Sequence, residues 1–177
     1  MIWRAEVVDQ LDLYWEHHLA PRLAGLTDDE YFWEPVKDCW SLRTAADGGA
    51  TLDGQQREQD PDPPPVTTIA WRMTHVSFHV LGIRTSAHFG DGSLTMRTAR
   101  LPVTADAAVA TLERYYRGWR DAVAALDGAA LARAMGDTEG PWGKRPMATL
   151  LLHVNREVMH HGAEICLLRD LYRAKFG

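Results

Sequence analysis

The stretch from Leu150 to Tyr172, LLLHVNREVMHHGAEICLLRDLY, sets ionisable side chains inside an apolar helical stripe. Residues three and four apart share one face of a helix. Leu150, His153, Glu157, His161, Glu164 and Leu168 therefore form one row, flanked by Val154, Ile165 and Leu171. That row is expected to face the core. Asn155, Arg156, Arg169, Asp170 and Arg173 fall elsewhere, mostly toward solvent. An inward glutamate and histidine are costly unless a partner satisfies them. A metal ion satisfies both at once.

The rest of the chain narrows the fold. At 177 residues it is long enough to bury a full core, and one domain over residues 1–177 is expected. No segment reaches the roughly 18 uninterrupted apolar residues of a membrane span. The N-terminal MIWRAEVVDQLDLYW carries acids and no clean apolar run, unlike a secretory signal. A formal charge of -5 without a basic tract argues against nucleic-acid binding. Cys39 and Cys166 are the two cysteines, far apart and outside any CxxC, which suits a reduced, cytoplasmic protein.

Four segments carry helical periodicity, and strand alternation is absent at any length. The first runs from Trp3 to Leu26, with Pro21 late in it. Thr27 and Glu30 then form a capping-box signature for a short helix. Residues 35–65 read as an irregular loop, holding Gly48, Gly49, Gly54 and the PDPPP run. The second helix is expected from Val66–Thr68 to His88, its turn-spaced row being Trp71, His75, Phe78, His79, Gly82 and Ser86. The third begins at the N-cap Thr104 and runs to Leu126, where Asp127-Gly128 stops it. Pro146 suits the first position of the last helix. The pattern predicts an all-α fold, a four-helix bundle with long loops.

Glu157 and His161 are spaced i, i+4, so their heads can converge on one ion. Zinc accepts imidazole nitrogen and carboxylate oxygen, and three protein ligands with an open fourth position is the catalytic arrangement. His75, midway along the second helix, is the best third donor. Each reading has an ordinary counterpart: Glu157 and His161 as a helical hydrogen bond, His75 as a core histidine. His79 reads as ligand, as support behind the ligands, or as surface. His153, one turn before Glu157, could donate to it. Glu164 could orient His161 or His75, or pair with an arginine. Cys166 falls opposite Glu157 and packs as a small apolar group.

Three segments together resemble the DinB-like superfamily of metal-binding four-helix bundles. LAPRLAGLTDDEYFWEPV resembles that family's end of the first helix. WRMTHVSFHV resembles the segment supplying its first metal histidine, which maps onto His75. HVNREVMHHGAEICLLRDLY resembles its final helix, whose two ligands map onto Glu157 and His161. Most members carry histidine where this chain has Glu157; the mycothiol-dependent maleylpyruvate isomerase branch is similar in using His, Glu and His. The resemblance implies a divalent metal, zinc first with Ni2+ or Fe2+ as alternatives, and a low-molecular-weight thiol such as mycothiol or bacillithiol. It implies a pocket lined by the 35–65 and 128–145 loops, with Trp71, Arg84 and Arg145 as substrate-pocket candidates, and a homodimer through helix packing.

The expected activity is then a thiol S-transferase or isomerase acting on a small electrophilic substrate. Two alternatives stand beside it. One is a metal-dependent hydrolase with Glu164 or another acid as base. The other is a non-catalytic metal- or ligand-binding stress protein.

Overall fold

The computed structural model describes residues 3–46, 48–55 and 61–177. Four long helices dominate it. The first passes from Trp3–Tyr14 through a π-helical turn, Trp15–Leu19, into Ala20–Leu23. The second does the same: Ile69–Thr74, a π-helical stretch His75–Gly82, then Ile83–Phe89. The third, Ala105–Ala124, and the fourth, Met147–Phe176, are α-helical throughout.

Their ends follow local chemistry. The Thr27 hydroxyl accepts from Glu30 N–H while the Glu30 carboxylate accepts from Thr27 N–H, so the expected capping box is present on the short helix Asp28–Phe32. Thr68 and Thr104 cap the second and third helices by accepting from Trp71 and Ala107 N–H. Asp127 does more than stop the third helix: its carboxylate caps a further short helix, Gly128–Ala132. Pro146 is the N-cap of the fourth helix rather than its first residue.

The first helix packs on the third and fourth, and so does the second. Going round the bundle the order is therefore first, third, second, fourth. The long connections, residues 24–68 and 125–146, each cross a diagonal. The core joins Leu11, Trp15 and Leu19 to Met73, Val76 and Leu81, to Leu112 and Trp119, and to Leu151, Val154, Val158 and Ile165.

Two expectations need correcting. The 35–65 region is not wholly irregular: Leu42–Thr44 (β1) and Ala50–Leu52 (β2) pair antiparallel, Arg43 opposite Thr51. Three-residue strands are too short to show period-two alternation. Residues 47 and 56–60 of that region lie outside the described residues. On the fourth helix, Asn155 and Arg169 are buried (2% and 0% exposed) while Leu171 is half exposed. Arg169 lies four residues beyond Ile165 and eleven beyond Val158, squarely on the buried row. It is tolerated there because every donor it has is used. Its Nε and Nη2 donate to the two Glu30 carboxylate oxygens at 3.1 and 2.8 Å, and its Nη1 and Nη2 to the carbonyls of Arg22, Ala24 and Gly25. Asn155 donates to Val7 C=O at 2.8 Å.

Among the described residues no helix is long and apolar enough to cross a membrane.

Candidate metal centre

The second and fourth helices bring His75, Glu157 and His161 together. One ligand-capable atom from each lies within 4.8 Å of the other two. His161 Nε2 is 3.3 Å from Glu157 Oε2, as their one-turn spacing requires. The His75 ring meets the His161 ring edge-on, centroids 4.8 Å apart at 88°. Trp71 stacks on His75 at 5.1 Å and 9°, and its Nε1–H donates to Asp53 C=O at 2.9 Å, so the hairpin end fixes the plane of the imidazole. Burial, with the charges of His161, His79, Arg72 and Arg84 around it, pushes the His75 pKa down to about 3. His75 is thus neutral over the working pH range, the form that ligates a metal.

His161 carries the informative contacts. Its Nδ1 lies 2.7 Å from Glu164 Oε2 and 3.1 Å from Arg72 Nη1. One nitrogen cannot donate to the first and accept from the second. A carboxylate only accepts, and the shorter contact is to the carboxylate, which assigns the proton to Nδ1. Nε2 then faces Glu157 Oε2 at 3.3 Å, a gap that either a proton on Nε2 or a metal ion bridges. Burial works to raise the Glu164 pKa, but the His161 hydrogen bond and the Arg72 charge hold it below its ordinary value. Glu164 therefore stays a carboxylate and fixes the ring, the usual support behind a metal histidine.

A second group, His160, His161 and Glu164, also lies within metal-ligating reach. There the Arg72 Nε sits 3.1 Å from Glu164 Oε2. A cation at that place would stand against a fixed guanidinium, and His160 is largely exposed. Both groups could hold an ion, and the guanidinium beside the first group's carboxylate is that of the exposed Arg156 rather than Arg72.

Gly162 makes room beside the site. A Cβ there would meet the Tyr14 hydroxyl at 2.5 Å, so any larger residue after His161 would force the Tyr14 side chain to move. A cavity of about 480 Å³ opens over His75 and Glu157, with Trp40, Trp71 and Leu52 on one side and His79, Arg84 and His153 on the other.

The remaining candidates fall as follows. His79 lines this cavity, its pKa lowered by burial and by Arg84. His153 Nδ1 is 3.6 Å from Glu157 Oε1 and 2.7 Å from Arg156 Nη2. Arg84 lines the cavity, whereas Arg145 is exposed, its guanidinium over the Trp142 ring at 5.3 Å, away from the cavity. Glu139, from the 128–145 loop, reaches the second helix, 2.9 Å from His88 Nε2. Sequence reasoning missed Arg72, Asp53 and Glu139. Arg72 was legible, since it precedes His75 by three and His79 by seven on one face. Asp53 and Glu139 arrive on loops with no periodicity to announce them.

A family model described as the DinB superfamily matches residues 10–165. No curated protein and no solved structure matches the chain.

Proposed function

The chain belongs to the DinB superfamily, and from that premise we propose a metal-dependent enzyme whose ion is held by His75, Glu157 and His161. The fold and the clustered donors support a metal-binding, enzyme-like protein at the coarse level. The finer reading is a zinc-dependent transferase or isomerase that uses a low-molecular-weight thiol, mycothiol being the preferred one, against a small electrophile. Two histidines and a glutamate suit zinc with one position left for a ligand.

The carrying observation is the clustering of ligand-capable atoms of His75, Glu157 and His161 within 4.8 Å of one another, with His75 and Glu157 lining the cavity. When bound, the ion would lower the pKa of a thiol or water placed on it. The chain's own groups do the rest. Glu164, itself paired with Arg72, holds the His161 ring, and Trp71 holds the His75 ring. Trp40 and Leu52 exclude water from one side. Glu164 is committed to His161 and Arg72, which disfavours the hydrolase in which it serves as general base.

Residues 1–177 are read as one domain, since a single core runs from Val8 to Leu168. The unpaired Cys39 and Cys166 favour a cytoplasmic setting. A homodimer is proposed through the first and fourth helices, where Leu13, Leu152, Leu167 and Leu171 are exposed.

Metal content by mass spectrometry tests the reading. One ion per chain is expected in the wild type and none in Glu157→Ala. Protein that takes up no zinc, nickel or iron after reloading sinks the metal reading. Substrate consumption that needs no added thiol sinks the finer one.

A further inference from the structure

The cavity has a second polar pole besides the three metal candidates. Arg84 lines it, its side chain 22% exposed and held in place by Nη1–H donating to His79 C=O at 2.7 Å. Its Nε is buried and has no hydrogen-bond partner among the described residues. Glu139 Oε1 is the nearest carboxylate oxygen, 3.5 Å from that Nε, and it is taken up by His88 Nε2 at 2.9 Å. One side chain over, His79 Nδ1 is likewise buried without a partner. Of the partnerless buried polar atoms on the second helix, which also include Arg72 Nε, Thr74 Oγ1 and Ser77 Oγ, those of Arg84 and His79 belong to residues that line the cavity. The Arg84 charge is thus incompletely compensated by the protein, and the exposed part of its side chain lies on the cavity, where a ligand can meet it.

We propose that this corner is a carboxylate subsite: Arg84 binds the anionic group of a small ligand whose apolar body lies against Trp40, Trp71 and Val80. Guanidinium matches carboxylate in shape and charge. Arg84 brings one positive charge, partly offset by Glu139, so a monoanion suits it better than a doubly charged phosphate. Tilted indoles 5.8 Å apart, Trp40 and Trp71, favour a flat apolar body. This inference deepens the proposed function by naming a substrate class, an electrophile that carries a carboxylate, and rests on that reading only for the word substrate. Binding itself needs no metal.

Isothermal titration of the purified protein with benzoate, and with benzamide as its uncharged counterpart, tests it. Benzoate is expected to bind, benzamide to bind at least about tenfold more weakly, and Arg84→Gln to weaken benzoate at least about tenfold, close to the loss of one charge-assisted hydrogen bond. Absence of benzoate binding, equal binding of the two probes, or an Arg84→Gln protein that binds benzoate like wild type overturns the subsite. If Arg84→Gln does not fold, Glu139→Gln is measured instead. Releasing Arg84 from that carboxylate should tighten benzoate about threefold or more; unchanged or weaker binding overturns the proposal. Repeating the titration after dialysis against EDTA separates the two readings. Benzoate that still binds through Arg84 in protein that never held metal supports the subsite and sinks the metal centre. Benzoate binding that vanishes with the metal and ignores Arg84→Gln does the reverse.

Discussion

Arg169 lies eight positions beyond His161 on the fourth helix, and the two make opposite use of the same chemistry. Around Arg169 a guanidinium and the Glu30 carboxylate are sealed from water. Both carboxylate oxygens are bonded, all three guanidinium nitrogens donate, and three backbone carbonyls at the end of the first helix complete the set. Around His161 the same residue types meet incompletely. Glu157 Oε1 accepts from Arg156 Nη2 but its Oε2 only faces His161 Nε2 at 3.3 Å, Arg72 Nε lies by Glu164 without hydrogen-bond geometry, and the neighbouring Arg84 and His79 keep partnerless atoms. The first knot ties the first helix to the fourth and has nothing left to offer. The second keeps its capacity for a ligand. Saturation marks a structural ion pair, and its lack, beside a cavity, marks a site.

The largest effect expected is on the saturated knot. Glu30→Ala strands a buried guanidinium and should cost about 3–5 kcal/mol of folding free energy, read from urea denaturation. Glu30→Leu with Arg169→Met should recover much of the loss, because removing both charges leaves none uncompensated. If Glu30→Ala unfolds like wild type, the contrast between the regions collapses. The same knot sets an acid limit. Burial works to raise the Glu30 pKa, yet its bonds to Arg169 and Thr27 carry it below its ordinary value. Its contribution is therefore full above the usual carboxylate range and is lost as pH falls through the lower folded value. A melt series below pH 5 should show that loss in the wild type and lack it in the double variant.

The unsaturated centre should respond to chelation instead. EDTA is expected to lower the wild-type melting temperature and to leave Glu157→Ala unmoved, since only the folded, three-ligand state binds the ion. Equal shifts in both proteins would place the ion elsewhere. Glu164→Gln is expected to weaken metal affinity about 10–100-fold while changing stability little, as loss of a histidine's supporting carboxylate does; competition with a chromophoric chelator measures it. The smallest effect expected is Thr27→Ala, about 1 kcal/mol from one N-cap, with metal affinity unchanged. A cap variant that also loses metal would show that the two regions are coupled through Glu30.

Helix number, the capping box at Thr27–Glu30, the caps at Thr68 and Thr104, and the gathering of His75, Glu157 and His161 were all readable from spacing and residue type. The burial of Arg169 and Asn155 was readable too, because both lie on the apolar row; treating arginine and asparagine as solvent-facing by type hid it. The hairpin was not readable, its strands being three residues each. Neither was the diagonal order of the helices, which depends on pairings that no local pattern encodes. Asp53 and Glu139 depend on loop paths fixed only when the bundle closes.

The π-helical stretch His75–Gly82 has an evolutionary consequence. In an unbroken α-helix, nine residues make about two and a half turns, so His75 and Arg84 would point to opposite sides. The wider turns advance less per residue, which reduces that offset, and both residues line one cavity. A deletion of one residue between 76 and 82 would restore an ordinary helix with His75 and the arginine eight apart, about 2.2 turns, so both would stay near one face. Among descendants of such a chain, loss of a single codon in this stretch would spare the pocket, whereas the same loss inside the regular third or fourth helix would rotate everything beyond it by about 100°.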